Sequence, residues 1–92
     1  KEDQRRARDF ALALTRIKGV VVDMESVQTN IVMANISASG LSSDECLGRL
    51  LKKGVRGHRF TPATIRFTFH RLITDEDVVN AVKAVQEVMS GT

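Results

Sequence analysis

The stretch Thr64-Ile65-Arg66-Phe67-Thr68-Phe69-His70 alternates strictly between polar and apolar side chains. Successive side chains of a strand point to opposite sides, so Ile65, Phe67 and Phe69 share one face and Thr64, Arg66, Thr68 and His70 share the other. The apolar face demands a core. The polar face sets an arginine between two threonines, with an imidazole at the end of the row. A planar guanidinium fixed on a rigid strand suits a carboxylate, which it binds through two parallel hydrogen bonds. The same alternation also describes an ordinary half-exposed antiparallel strand with a solvated polar face, and the pattern by itself favours that simpler use.

Outward from this strand the chain reads as turns, helices and further strands. Thr61-Pro62-Ala63 precedes it as a turn, because proline fixes its own backbone and restricts Thr61. Thr74-Asp75-Glu76-Asp77 follows it in the form of a capping box, a serine or threonine cap with an acidic residue three positions on. The helix opened there carries Val78, Val82, Val85 and Met89 on one side and stops near Ser90-Gly91. Residues 55–60 read as a strand made irregular by Gly57. Ser42-Ser43-Asp44-Glu45 opens an earlier helix with the same capping form, with Leu47, Leu50 and Leu51 as its buried stripe. Lys52-Lys53-Gly54 ends that helix with positive charge and a glycine.

Residues 30–36 are nearly continuous in apolar character, as a central strand covered on both faces would be, with Asn35 at the solvent end and a loop over 37–41. Val20-Val21-Val22 reads as a short β-branched strand, and 23–28 as a connecting loop. The chain opens with an amphipathic helix over 2–17, whose apolar stripe is Ala7, Phe10, Ala11, Leu14 and Ile17. Glu2 and Asp3 suit its first turn, and Lys18-Gly19 supplies a basic stop. Arg5, Arg6 and Arg8 read as a solvated basic face.

The order is helix, strand, strand, helix, strand, strand, helix. That predicts an α+β fold: a small, mostly antiparallel sheet of three to four strands, with three helices packed on one face. Arg66, Thr68 and His70 then lie on the open face, where another domain can dock.

Composition narrows the function classes. Ninety-two residues, 42% apolar and 27% charged, suit a single globular domain over 1–92 with a modest core. A net charge of +3 is too small to name nucleic acid as a partner, and the chain has no Tyr or Trp to build an aromatic RNA-binding strand. No apolar run is long enough for a membrane span and no signal-peptide pattern is present. Cys46 is the single cysteine, which excludes an internal disulfide and points to a cytoplasmic setting. We read Cys46 as a buried structural thiol. There is no phosphate-cradling glycine loop and no cysteine pair for zinc. His58 and His70 lie in different predicted strands without a carboxylate at ligand spacing, so no metal site is expected. His58, between Arg56 and Arg59, reads as part of a surface loop able to touch an anion. Lys1 without a preceding methionine suggests a segment of a longer polypeptide.

Taken in order, several pieces resemble the C-terminal small domain of threonine aldolases, pyridoxal-phosphate enzymes of the aspartate aminotransferase fold type. The helix from Glu2-Asp3 through Arg8 to Leu14 resembles the start of that domain. Val27-Gln28-Thr29-Asn30-Ile31-Val32 resembles its Thr-Asn-containing strand entry, and Gly54-Val55 the turn into its next strand. Ile65-Arg66-Phe67-Thr68-Phe69-His70 with Thr74-Asp75-Glu76-Asp77-Val78 resembles its Ile-Arg-(apolar)-Val-Thr-His strand and acidic-capped helix. The resemblance covers nearly the whole chain and rests on order and spacing rather than one motif. Thr68 stands where the family usually has valine, Phe69 where it has threonine, and Leu72-Ile73 replaces a more acidic pair.

The resemblance implies a lyase of amino-acid metabolism that cleaves a threonine-like β-hydroxy-α-amino acid to glycine and an aldehyde. It implies that Arg66 binds the substrate α-carboxylate, with Asn30 and His70 as weaker substrate-binding candidates. It implies no catalytic or cofactor-binding residue in this chain. The cofactor-linking lysine, the phosphate contacts and most dimer contacts would belong to an upstream large domain of a homo-oligomeric parent. Lys1, Lys18, Lys52, Lys53 and Lys83 are then surface residues, and the chain alone is inactive. The element order from Val20 on also suits a different class, a ferredoxin-like regulatory module that binds a small molecule or RNA, with Arg66 as an effector or phosphate contact.

Overall fold

The computed structural model describes residues 2–27, 30–70 and 72–91, with the side chains of residues 2, 3 and 26 excepted. Lys1, the first-turn charges of Glu2 and Asp3, and the Gln28–Thr29 part of the predicted strand entry lie outside this description. The elements are α1 (Glu2–Leu14), β1 (Ile31–Asn35), α2 (Ser43–Lys52), β2 (His58–Thr61), β3 (Thr64–Thr68) and α3 (Asp75–Met89). The three strands form one antiparallel sheet in the order β1–β3–β2. The fold is therefore α+β, as the sequence predicts.

The strand around Arg66 is the centre of the sheet. Its apolar face packs inward: Ile65, Phe67 and Phe69 are buried, as are Val32 and Ala34 on β1. All three helices add to the same core, α1 through Ala7, Phe10, Ala11 and Leu14, α2 through Cys46 and Leu50, α3 through Val78, Ala84, Val85 and Val88. Phe10 is the hub. Its ring meets that of Phe67 edge-on at 4.9 Å between centroids and that of Phe69 at 5.3 Å, separations at which aromatic pairs attract.

Several elements differ from the sequence expectation. Residues 30–36 form an edge strand, Ile31–Asn35, not a central one, and only one of its faces is buried. Ile31 and Met33 are half-buried on the other face, so the apolar run reflects one covered face and one partly covered face. Val20–Val22 contributes only a single bridge, Val21 to Asn35. α1 stops at Leu14, and the chain then tightens through Arg16 N–H to Ala13 and Ile17 N–H to Leu14, three-residue bonds that close the last turn. Ile17 is buried all the same. On α2, Leu50 is buried and Leu47 packs against the core as predicted, but Leu51 is 55% exposed; Ser43 and Cys46 join Leu50 in the buried positions, at the spacing of one helix face.

The capping reading holds at both later helices. Ser42 and Glu45 exchange backbone and side-chain bonds at α2, and Thr74 and Asp77 do so at α3. The bonds from Ser42 hold the Glu45 carboxyl below its usual range. Lys53 caps α2, and Gly54 follows at φ +84, a conformation side-chain-bearing residues resist. Gly57 is needed for space, since a Cβ there would stand 3.0 Å from Leu47 Cδ2 and 3.2 Å from Phe67 Cε1.

The β2–β3 hairpin is fastened through its turn carbonyls. The Ser43 N–H donates to Pro62 O at 2.8 Å, the Ser43 hydroxyl to Thr61 O at 2.6 Å, and the Ile36 N–H to Ala63 O at 2.8 Å. This explains why Ser43, a polar residue, is fully buried. Arg8 is exposed as predicted, but two of the arginines expected on that solvated face have a structural use. Arg5 Nη2 and Arg6 Nε both donate to Asp75 Oδ1 at 2.8 Å, joining α1 to the start of α3. Arg6, then Arg5, holds the Asp75 carboxyl below its ordinary 3.8.

Two outcomes are expected. Phe10→Ala opens a cavity under both aromatic partners, and it should cost about 3–5 kcal/mol, read as a lower denaturant midpoint. The Asp75 carboxyl is depressed in the folded state, so its stabilisation is present above 3.8 and is lost as pH falls through the lower folded value. Asp75→Asn should lower stability at neutral pH and flatten its fall below pH 3.8. The difference should shrink in high salt, because Asp75 is 68% exposed. Urea unfolding at several pH values and salt concentrations measures both effects.

Candidate functional site

Arg66 sits at the middle of the central strand. It stands opposite Met33 on β1 and opposite His58 on β2. Opposed residues of an antiparallel pair share a face, so Met33, Arg66 and His58 form a row across the sheet on the side turned away from the core. Arg66 is half-buried. Its Nε is shielded from solvent and has no hydrogen-bond partner. The cations paired with carboxylates among the described residues are Arg5, Arg6, Lys53 and Arg59, and Arg66 is not among them.

Asn30 and His70 do not join this row. Asn30 lies just before β1, and its side-chain amide donates to the Phe69 carbonyl. The Phe69 N–H returns a bond to the Asn30 carbonyl at 2.8 Å. Asn30 thus closes the β1–β3 ladder beyond its last strand pair, on the parity of the buried residues rather than of Arg66. His70 lies past the end of β3 and is exposed. Its Nδ1 accepts from the Leu72 N–H at 3.2 Å, and its carbonyl accepts from the Ile73 N–H at 2.9 Å. It shapes the turn into α3.

His58 is the residue that sequence reasoning placed poorly. A regular two-residue hairpin closing Thr61 on Thr64 would set Arg59 opposite Arg66. The observed register shifts between Arg59 and Thr61, so that Arg59 opposes Ile65 and His58 opposes Arg66. Phe60 is the extra residue of this bulge and is 56% exposed. Arg59 then reaches α2, with Nε 3.9 Å from Asp44 Oδ1. Nothing in the sequence marks the bulge except the irregularity suspected at Gly57.

A groove of about 920 Å³ opens between α3 and the segment leading into β2. Its floor includes Phe10, Phe67 and Phe69, and its rim includes Arg56, His58 and Lys83. Arg66 and Asn30 do not line it, but His58 and His70 do, so the groove meets the row on the sheet at His58. Cys46 is buried, and burial pushes its thiol pKa up, away from the thiolate a nucleophile needs. Among the described residues no group of three His, Cys, Asp or Glu side chains is placed to hold a metal ion. No helix among them is long and apolar enough to cross a membrane.

No protein-family model matches the chain. The chain is 27% identical over 90 residues to low-specificity L-threonine aldolase 1 of Arabidopsis thaliana, a match covering 97% of this chain and 25% of that protein. The chain therefore spans about a quarter of the length of the curated relative it matches.

Proposed function

We propose that this chain is the small domain of a larger pyridoxal-phosphate-dependent aldolase, in which Arg66 binds the α-carboxylate of a β-hydroxy-α-amino acid that is cleaved to glycine and an aldehyde. The observation that carries the reading is the Arg66 guanidinium. Its Nε–H is buried and unanswered on the face turned away from the helices. An orphaned buried donor costs roughly 1–3 kcal/mol, and a charge-assisted bond to a carboxylate removes that cost. The similarity to a threonine aldolase over nearly the whole chain supports the same reading.

The cofactor's own contacts lie outside this chain. Lys18, Lys52 and Lys83 are exposed, and Lys53 pairs with Glu87 at 3.0 Å on the surface. Pyridoxal phosphate, when bound by an upstream large domain, supplies the electron sink for carbon–carbon cleavage. This chain's part is orientation. A fork held on a central strand fixes the carboxylate, and with it the direction of the bond to be broken. Asn30 and His70 serve this site only indirectly, by holding the end of β3 in place. The reading includes a homo-oligomeric parent and a cytoplasmic setting.

A second reading has one observation in its favour. From β1 on, the β-α-β-β-α order and the β1–β3–β2 arrangement suit a ferredoxin-like binding module for a small molecule or RNA.

The length and visible spectrum of the native protein in its source separate the two. A polypeptide several times longer, with the absorption of protein-bound pyridoxal phosphate, is expected. A native chain of this size without that absorption would put the binding module first. In the longer protein, Arg66→Ala should lower kcat/KM about 100-fold, equivalent to losing one charge-assisted contact of roughly 3 kcal/mol, with little change in unfolding midpoint. Arg66→Lys should recover only part, since a point charge does not replace a fork. Unchanged kinetics in Arg66→Ala would reject the assignment. Borohydride reduction of the 92-residue chain mixed with pyridoxal phosphate should attach no stoichiometric label.

A further inference from the structure

The bulge in β2 sets a second basic side chain against Arg66. His58 stands directly across from it in the β2–β3 ladder, and Met33 stands across from it on the other flank. Directly opposed side chains have Cβ atoms about 4.5–5.5 Å apart, close enough for both to reach one ligand. Neither is engaged by a carboxylate among the described residues, where the ion pairs use Arg5, Arg6, Lys53 and Arg59. Arg66 keeps a buried Nε–H without an acceptor, and His58 is exposed beside it. His70, the other imidazole, uses its Nδ1 to hold the Leu72 N–H and lies beyond the strand. An anion seated between His58 and Arg66 can accept hydrogen bonds from both. The fork takes both oxygens of a carboxylate, and an imidazole N–H adds a third donor from the opposite strand.

We infer that His58 is a second binding residue for the carboxylate held by Arg66, with Met33 as the apolar wall on the far side. The inference rests on the carboxylate role proposed above for Arg66, and names the neighbour that fixes where the carboxylate sits. Without the bulge, Arg59 would take this place and His58 would turn toward Phe67.

The test uses the isotope-labelled 92-residue chain, titrated with sodium acetate at constant ionic strength against sodium chloride. The Arg66 Nε–H and the His58 ring resonances should move together along one saturable curve that chloride does not reproduce. His58→Phe should weaken acetate binding about tenfold, and His58→Gln, which keeps an N–H donor, about threefold or less. Both variants lie on an exposed edge strand, and the spectra themselves report that the fold is intact. An Arg66 curve unchanged in His58→Phe would overturn the inference, and so would the absence of any saturable response. The aldolase reading fails separately. If acetate binds as described but the native protein lacks pyridoxal-phosphate absorption, the anion site stands and the enzyme assignment falls. If the absorption is present and Arg66→Ala is impaired while His58→Phe keeps its KM, only the His58 inference falls.

Discussion

Everything in this molecule is arranged around the contact between Phe10 and the two phenylalanines of the central strand segment. Those rings fix which side of β3 faces the helices. Because a strand alternates with a period of two, that choice settles the other side as well. Phe67 inward forces Arg66 outward. A slip of one residue would bury the guanidinium against Phe10 and would expose three large apolar side chains. Desolvating an unpaired charge costs far more than any local adjustment could recover. The register is therefore held most firmly by the residues that do not touch the candidate site.

The hairpin and the helices secure this arrangement from the ends. Both α2 and the end of β1 donate to carbonyls of the turn between β2 and β3, so the turn carries backbone bonds that a surface turn would give to water. At the opposite end of β3, Asn30 and Phe69 exchange bonds and extend the ladder past its last regular pair. Arg66 sits between these two fastenings, on a segment with little freedom. A binding group that must present a fixed fork benefits from such a support, since precision comes from rigid neighbours more than from the group itself.

The molecule also separates its charges by use. Arg5 and Arg6 are spent on the α1–α3 junction through Asp75, Lys53 on Glu87, and Arg59 on Asp44. These pairs lie on the surface, where ion pairs contribute little each. Arg6 is half-buried too but is paired with Asp75; Arg66 differs in being half-buried, central in the sheet and without a carboxylate among the described residues. The contrast among arginines in one small fold, rather than net charge, singles this residue out.

The sequence by itself determined the α+β class, the inward face of the central strand, the two capped helices and the position of Arg66 on the outward face. These follow from local rules: alternation, helical spacing and capping chemistry need only neighbours in the chain. Four things waited for the tertiary structure. β1 proved to be an edge strand because β3, arriving later in the chain, took the centre. The Val20–Val22 run gained only one bridge, since little of β1's outer edge is paired with it. On α2, Cys46 and Ser43 displaced Leu51 from the core because the helix docks through the hairpin carbonyls, which a hydropathy pattern does not record. The bulge at Phe60 exchanged Arg59 for His58 beside Arg66. Pairing register is a property of two strands at once, and one inserted residue reverses which side chains share a face. The residue opposite Arg66 is thus decided by how two distant segments meet, and neither segment carries that information alone.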